Sequence, residues 1–281
     1  MPALTARLTP PRGRAVAEVI KRPEAVLRRA RQLPVAAAML RDAVAPILTG
    51  KVDDWRAEYA YATGVQAFIY GFPYIYNARL RHNWVTGPAG PAAVPYAPVN
   101  HFWHATKLAD AAYHDGSCPN NDTLCSLAWV DVSREPVILS HPNMGNRYFT
   151  FELMAFSSDN FGYVGQRSTG SGAGHFAITG PGWKGSLPAG VKKTRPSPTP
   201  WLLVLGRTLV DGQQDVPGVR ALQEQYRLTP LSGWGKPRAK LPRRRAVYAP
   251  ADPRHDPLAP WKSLNTMLAE NPPPPHHALL L

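Results

Sequence analysis

Cysteine is nearly absent from this sequence: Cys118 and Cys125 are the two among 281 residues. That excludes a disulfide framework. Neither CxxC nor CxxH spacing occurs, which argues against a structural zinc site. The two thiols, seven residues apart, read as reduced cysteines, with a small loop disulfide as the alternative in an exported protein. Charge is also scarce, at 18% of residues against about a quarter in ordinary domains. No uncharged apolar run reaches the length of a bilayer span, so no membrane crossing is expected. The N-terminus shows no apolar run followed by an Ala-x-Ala site. On that ground the chain reads as cytoplasmic, with envelope association as the alternative. The run Gly170-Ser171-Gly172-Ala173-Gly174 is followed by no Lys-Ser/Thr, so it is no phosphate loop. It reads as a turn, and no cofactor is expected.

What is abundant is apolar residues, at 44%, and proline, at 31 residues. The first supplies a core. The second limits long helices and central strands and favours turns and extended connections. The net charge is +13, unevenly placed. Residues 1–50 hold nine basic and three acidic residues, as do residues 201–250, whereas residues 101–150 hold three basic and five acidic. A nucleic-acid fold carries its basicity on the folded surface, so nucleic acid is not expected as a partner.

The sequence divides into three parts. Residues 1–50 form a basic segment of helical pattern, broken at Pro23 and Pro34, in which Val35, Met39, Leu40, Val44 and Leu48 recur at helical spacing. Its basic side, Arg28, Arg29 and Arg31, reads as a solvated face or a contact for anionic lipid. Residues 51–235 begin with a helix capped by Asp53 or Asp54, with Trp55, Tyr59, Ala62 and Gln66 on one stripe. Gly71-Phe72-Pro73 is expected to turn or kink it. From about residue 126 the period changes from 3.6 to 2. Strands are predicted at 126–132, 136–140, 146–155, 161–166, 175–179 and 201–210, with nine glycines between Gly162 and Gly190 as punctuation. Residues 236–281 open with the basic loop KPRAKLPRRR. A helix follows, with Asp256 as cap and Leu258, Trp261, Leu264 and Leu268 on one edge. The predicted fold is α+β: N-terminal helices packed on a mainly antiparallel, jelly-roll-like β-sandwich, with short C-terminal helices.

Chemistry concentrates in Asn120-Asn121-Asp122-Thr123, since Asn and Asp side chains bond nearby backbone and supply acceptors. His104 lies upstream; Arg147 and Arg167 lie near strand ends downstream. If the strands fold back, His104, Asp122 and Arg147 form a candidate catalytic set. Histidine would act as acid or base and arginine as a carboxylate clamp. Asn120, Asn121, Thr123 and Arg167 are the candidate ligand contacts. The structural alternative makes Asp122 a turn cap and pairs Arg147 with Glu135 or Asp131. A Ser126-His104-Asp131 triad lacks the GxSxG context. His101 and His104, at i and i+3, suit one helix face and a metal with Asp122, but packed histidines are commoner and no metal is assigned.

Pro119-Asn120-Asn121-Asp122-Thr123-Leu124, Ala128-Trp129-Val130-Asp131, Arg134-Glu135-Pro136, Met144-Gly145-Asn146-Arg147-Tyr148 and Gly180-Pro181-Gly182-Trp183 occur in consistent order. With Tyr70-Gly71-Phe72-Pro73, Asn100-His101-Phe102-Trp103-His104 and Gly206-Arg207-Thr208-Leu209-Val210, they resemble the bacterial domain of unknown function 1254 over residues 52–235. The resemblance implies β-rich, jelly-roll-like domains with N-terminal helices and no established reaction. It also implies that residues 256–275 begin a second domain, of unknown function 1214, which is truncated here. Cys125 stands where the family usually has tyrosine. The expected partners are a second copy, or a chain supplying the missing domain, and a small polar or anionic ligand. A soluble binding or assembly role comes first, an enzyme second and an envelope-associated protein third.

Overall fold

The computed structural model describes residues 55–87, 96–109, 120–236, 246–275 and 277. The basic segment 1–50, Cys118, Pro119 and all of the basic loop except Lys236 lie outside them. The chain falls into two units, Met1–Phe68 and Ile69–Leu281.

The first described element is helix α1, Trp55–Thr86, with Pro73 inside it. A turn or kink is expected at Pro73; the helix does not end there but runs through it. A mid-helix proline costs ~3 kcal/mol, but the turns after it bury Tyr74, Asn77, Ala78, Arg81 and Trp84. Burial of that face outweighs the lost rung.

Among the described residues nine strands follow: β1 Trp103–His104, β2 Thr123–Asp131, β3 Val137–His141, β4 Phe149–Ala155, β5 Asn160–Gly165, β6 Gly174–Ile178, β7 Lys192–Lys193, β8 Trp201–Leu209 and β9 Arg227–Pro230. A short helix α2, Gln166–Thr169, follows β5. Helix α3, Val216–Gln223, precedes β9, and helix α4, Ala259–Glu270, comes last. The strands form a five-stranded sheet in the order β1-β2-β8-β4-β5 and a four-stranded sheet in the order β7-β6-β3-β9. All pairings are antiparallel except β6 with β7.

Burial explains the sequence pattern strand by strand. In β4 every second residue is buried, which is the period-2 alternation of a half-covered strand. In contrast, β2 and β8 are buried on nearly every residue, because both faces of the five-stranded sheet are covered. On one face, Val130, Leu202, Val204, Phe149 and Phe151 share a cluster with Val137, Leu139, Phe176 and Ile178 of the four-stranded sheet. On the other face, Leu127, Trp129, Trp201 and Leu203 lie under Tyr74, Ala78 and Trp84 of α1 and Leu264 and Met267 of α4. Gly71 makes this fit possible, since a Cβ there would stand 2.5 Å from the Leu264 side chain.

Two long-range polar ties fix the helices. Arg81 is wholly buried, bonds Glu270 of α4 at 2.8 Å and lies over the rings of Trp201 and Phe156. Asn271 accepts the Trp201 backbone N–H at 3.0 Å. Asn100 adopts a left-handed φ of 61°. It holds the start of the β part to the end of β2 by accepting the Asp131 N–H.

Candidate functional site

His101 and His104 do not share a helix face; the segment is extended, and β1 pairs Trp103 with Leu127 and His104 with Ser126. Directly opposed residues of antiparallel strands point to the same side. Trp103 therefore joins the helix-covered cluster, while His104 turns to the face shared with the other sheet. There His104 Nδ1 lies 2.9 Å from Ser126 Oγ. Gln223, the last residue of α3, reaches the same place. Its Nε2 donates to the Cys125 carbonyl at 3.0 Å and to Ser126 Oγ at 3.1 Å. Which of the two groups donates is set by the imidazole tautomer, since the Ser126 hydroxyl keeps both its proton and a second lone pair after accepting from Gln223. Burial, reinforced by the positive charge of Arg227, lowers the His104 pKa to about 4. The ring is neutral at pH 7.

Aromatic rings enclose this pair. Phe102 stacks on His104 at 5.6 Å between centroids, and Tyr226 lies 6.1 Å from it. Tyr226 packs edge-on to Phe151 at 4.9 Å, bonds Thr208 Oγ1 at 2.9 Å, and burial pushes its hydroxyl up to about 12. Gly206 opposes Ser126 across the β2–β8 ladder. A Cβ there would stand 2.8 Å from the Phe151 ring and 3.1 Å from Ser126 Cβ. The Gln223 side-chain oxygen is buried and has no hydrogen-bond partner among the described residues. A second neutral histidine, His141, stacks on Phe176 in the same cluster, and its Nε2 is likewise buried without a partner among them.

The remaining candidates lie elsewhere. Asn120 Oδ1 accepts the N–H groups of Asp122 and Thr123, both at 2.8 Å, and the Thr123 hydroxyl at 3.1 Å. It is the local turn that starts β2. Asn121 and Asp122 are exposed and Thr123 is buried. Arg147 forms a two-pronged pair with Asp215, at 2.5 and 2.9 Å, and donates to the Leu209 carbonyl. Its partner is neither Glu135 nor Asp131. Glu135 instead accepts from Ser232, and Asp131 accepts the Ser133 N–H. Arg167, on α2, lies 5.4 Å over the Tyr148 ring. Asp122 and Arg147 occupy the same end of the sheet, since Val210 bonds the Asp122 carbonyl and Leu209 bonds the Tyr148 carbonyl. His104 pairs three residues further along β2 than Thr123, about 10 Å at 3.3 Å per residue. No hydrogen bond or ion pair joins His104, Asp122 and Arg147 to one another.

Gln223, Tyr226 and His141 carry no spacing motif, whereas Thr208 falls in the Gly206–Val210 run that carries the family resemblance without being singled out as a site residue. The triad considered for Ser126 gains its His104 partner but not Asp131, whose neighbours on the sheet are Trp201 and Asn100. Cys125 is a free, half-buried thiol whose pKa burial raises. Among the described residues, no three His, Cys, Asp or Glu gather as a metal site. Nor is any helix among them long and apolar enough to cross a membrane.

Comparison with known proteins places this geometry. No curated protein matches the chain. Among solved structures, the VPA0106 protein of Vibrio parahaemolyticus superposes with a TM-score of 0.57 at 22% identity, over 74% of this chain and 46% of its own. This chain therefore spans about half the length of that relative, and the likeness shows a shared fold. A putative uncharacterized protein from Burkholderia cenocepacia matches at a TM-score of 0.33 and 15% identity, over 87% of this chain and 59% of its own. Residues 99–230, which contain all nine strands and the His104–Ser126–Gln223 cluster, match the model of the family described as protein of unknown function (DUF1254).

Proposed function

We propose that the strands form a β-sandwich module that binds a small, neutral polar ligand at the half-buried His104, and that it does not act as a catalyst. The observation that carries this reading is the contact of His104 Nδ1 with the wholly buried Ser126 Oγ at 2.9 Å. A nucleophile must meet its substrate, and Ser126 is sealed behind the histidine. A base works best with a pKa near the operating pH, whereas His104 titrates near 4. What the cluster offers is hydrogen bonding from uncharged groups within an aromatic frame, which is the composition of a binding pocket. An anionic ligand has less support, because the charge of Arg147 is already met by Asp215.

The test is an NMR titration of 15N-histidine-labelled protein with a panel of neutral amides and polyols. At least one compound is expected to move the His104 ring signals, and the response should vanish in Gln223→Leu while the other histidines keep their folded signals. A panel that leaves His104 unmoved overturns the proposal. A carboxylate that binds and is lost in Arg147→Lys would instead revive the reading built on His104, Asp122 and Arg147.

A further inference from the structure

Arg207 is a charge without a partner in the middle of the five-stranded sheet. It lies in β8, which is paired on both edges and buries most of its residues. Arg207 is half-buried, yet it makes no hydrogen bond or ion pair among the described residues. Hydration lost by a charge is repaid only by a partner. Its cross-strand neighbours are Cys125 of β2 and Thr150 of β4; opposed residues share a face, with Cβ atoms about 5 Å apart. That face is the one α1 and α4 cover over Leu127, Trp129, Trp201 and Leu203. Beyond that cover, Cys125, Arg207 and Thr150 form a half-buried row. The row ends at Gly165, which opposes Thr150 and brings no side chain. The Thr150 hydroxyl, too, makes no hydrogen bond among the described residues. The charge of Arg207 reaches Cys125, where it acts against the burial that raises the thiol pKa.

A second cation borders the same row. Arg167 of α2 lies 5.4 Å over the Tyr148 ring and makes no hydrogen bond or ion pair among the described residues. Tyr148 is two residues from Thr150 and so on its side of the strand. Guanidinium groups from β8 and from α2 therefore flank Thr150, and no carboxylate is bonded to either. We propose that this ledge binds the carboxylate of a small monocarboxylic acid, received by Arg207 and Arg167 with the Thr150 hydroxyl as a third donor. The planar fork of a guanidinium matches the two oxygens of a carboxylate. Glu152 sets the charge class. It is the next residue of β4 on this face, opposite Leu205, about 7 Å beyond Thr150. It makes no ion pair among the described residues. Two arginines against one glutamate leave a single positive charge on the ledge. A monoanion neutralises that charge, whereas the second charge of a dianion is repelled by Glu152. The ledge is separate from the His104 cluster, which occupies the opposite face of the sheet. Arg147 adds nothing to it, since Asp215 already holds that guanidinium.

The test is an NMR titration of the 15N-arginine-labelled full chain with sodium propionate at constant ionic strength, which holds screening fixed. The Nε–H signals of Arg207 and Arg167 are expected to shift together and to saturate. Arg207→Gln should weaken propionate binding about tenfold, the loss of one charge-assisted contact, while the His104 ring signals stay in place. Arg167→Gln, at an exposed position, should weaken it by a smaller factor, and it reads the site even if Arg207→Gln fails to fold. The unsubstituted chain should bind inorganic phosphate more weakly than propionate, and Glu152→Gln should narrow that gap. Arginine signals that never saturate overturn the proposal, and so does an affinity left unchanged by both arginine substitutions. Phosphate bound more tightly than propionate by the unsubstituted chain overturns the assignment to a monocarboxylate.

Discussion

The two faces of the five-stranded sheet bury polar groups in opposite ways. Under the helices the polar load is ionic: Arg81, with no exposed surface, meets Glu270 at 2.8 Å between the rings of Trp201 and Phe156. Facing the four-stranded sheet the load is uncharged: His104, Ser126, Gln223, Thr208 and Tyr226. The difference is physical. A buried charge must have its partner in place, so such a pair fixes one arrangement of α1, α4 and the sheet. Buried polar atoms with no partner among the described residues occur on both faces, the Gln223 oxygen on this one and the Trp129 and Trp201 indole N–H groups under the helices, so it is charge that distinguishes them. One face reads as a fastening, and the other is the face to which the proposed ligand is assigned.

The largest expected effect breaks the fastening. Glu270→Gln removes the carboxylate charge 2.8 Å from the buried Arg81 guanidinium, and removing one member of a buried pair costs about 3–5 kcal/mol. Urea denaturation should show that loss at an unchanged m-value. Arg81→Met combined with Glu270→Leu should recover most of it, because matched apolar groups remove the stranded charge. A single substitution that is silent would mean the pair is not buried as described.

A smaller effect should appear on the other face as a pH dependence. The folded pKa of His104 is about 4, below its ordinary 6.5. Between those values the unfolded chain binds the proton and the folded chain does not. Stability is therefore complete above pH 6.5 and falls as the pH drops toward 4. A difference of that size between folded and unfolded chain is worth about 3 kcal/mol for a fully buried ring. His104 is only half-buried, and solvent screening reduces the expected loss to roughly 2 kcal/mol. Denaturation midpoints measured from pH 4 to 7 should show it, and His104→Asn should flatten the slope. A wild-type slope that matches the variant would remove His104 from the interior.

How much of this was readable in advance depends on the range of each interaction. The strand at 149–155 follows from alternation, and those at 137–141, 174–178 and 201–209 from short apolar runs bounded by turn residues; all of these signals are local. The short strands β1, β7 and β9 have too few residues to show a period. Pro73 is a strong local breaker, yet contacts from Leu264 and Met267, nearly two hundred residues away, override it. The site followed the same rule. Asn120 as the turn residue of β2 was legible because its partners are its neighbours. The His104–Ser126 pair could be written down but not ranked, since its register depends on β1 adding to β2. Gln223, 97 residues from Ser126, and Asp215, 68 residues from Arg147, left no local trace. The placement of both follows from how the chain returns through β8.

The smallest expected effect separates Arg147 from Asp122 at the end of the sheet. The Arg147–Asp215 pair is partly exposed, at 25% and 18% of the two side chains. Its two-pronged geometry makes it stronger than a single surface contact, yet exposed pairs are worth only about 0.2–1 kcal/mol. Arg147→Gln should thus lower stability by about 1 kcal/mol at pH 7. Asp122→Asn, at an exposed side chain, should leave it unchanged. Donation from Arg147, then from the Asp211 N–H, holds the Asp215 carboxyl below its ordinary value of 3.8. A depressed carboxylate contributes above that value and stops contributing as the pH falls through the folded pKa. The wild-type and Arg147→Gln denaturation curves should therefore converge in acid. The same pair sharpens the contrast in function: an anion recruited by Arg147 must first displace Asp215. Asp215→Asn would free that arginine, so carboxylate binding that strengthens in this variant would show Asp215 to be a built-in competitor. Binding that stays absent would leave the arginine as a latch between the start of β4 and the loop ahead of α3.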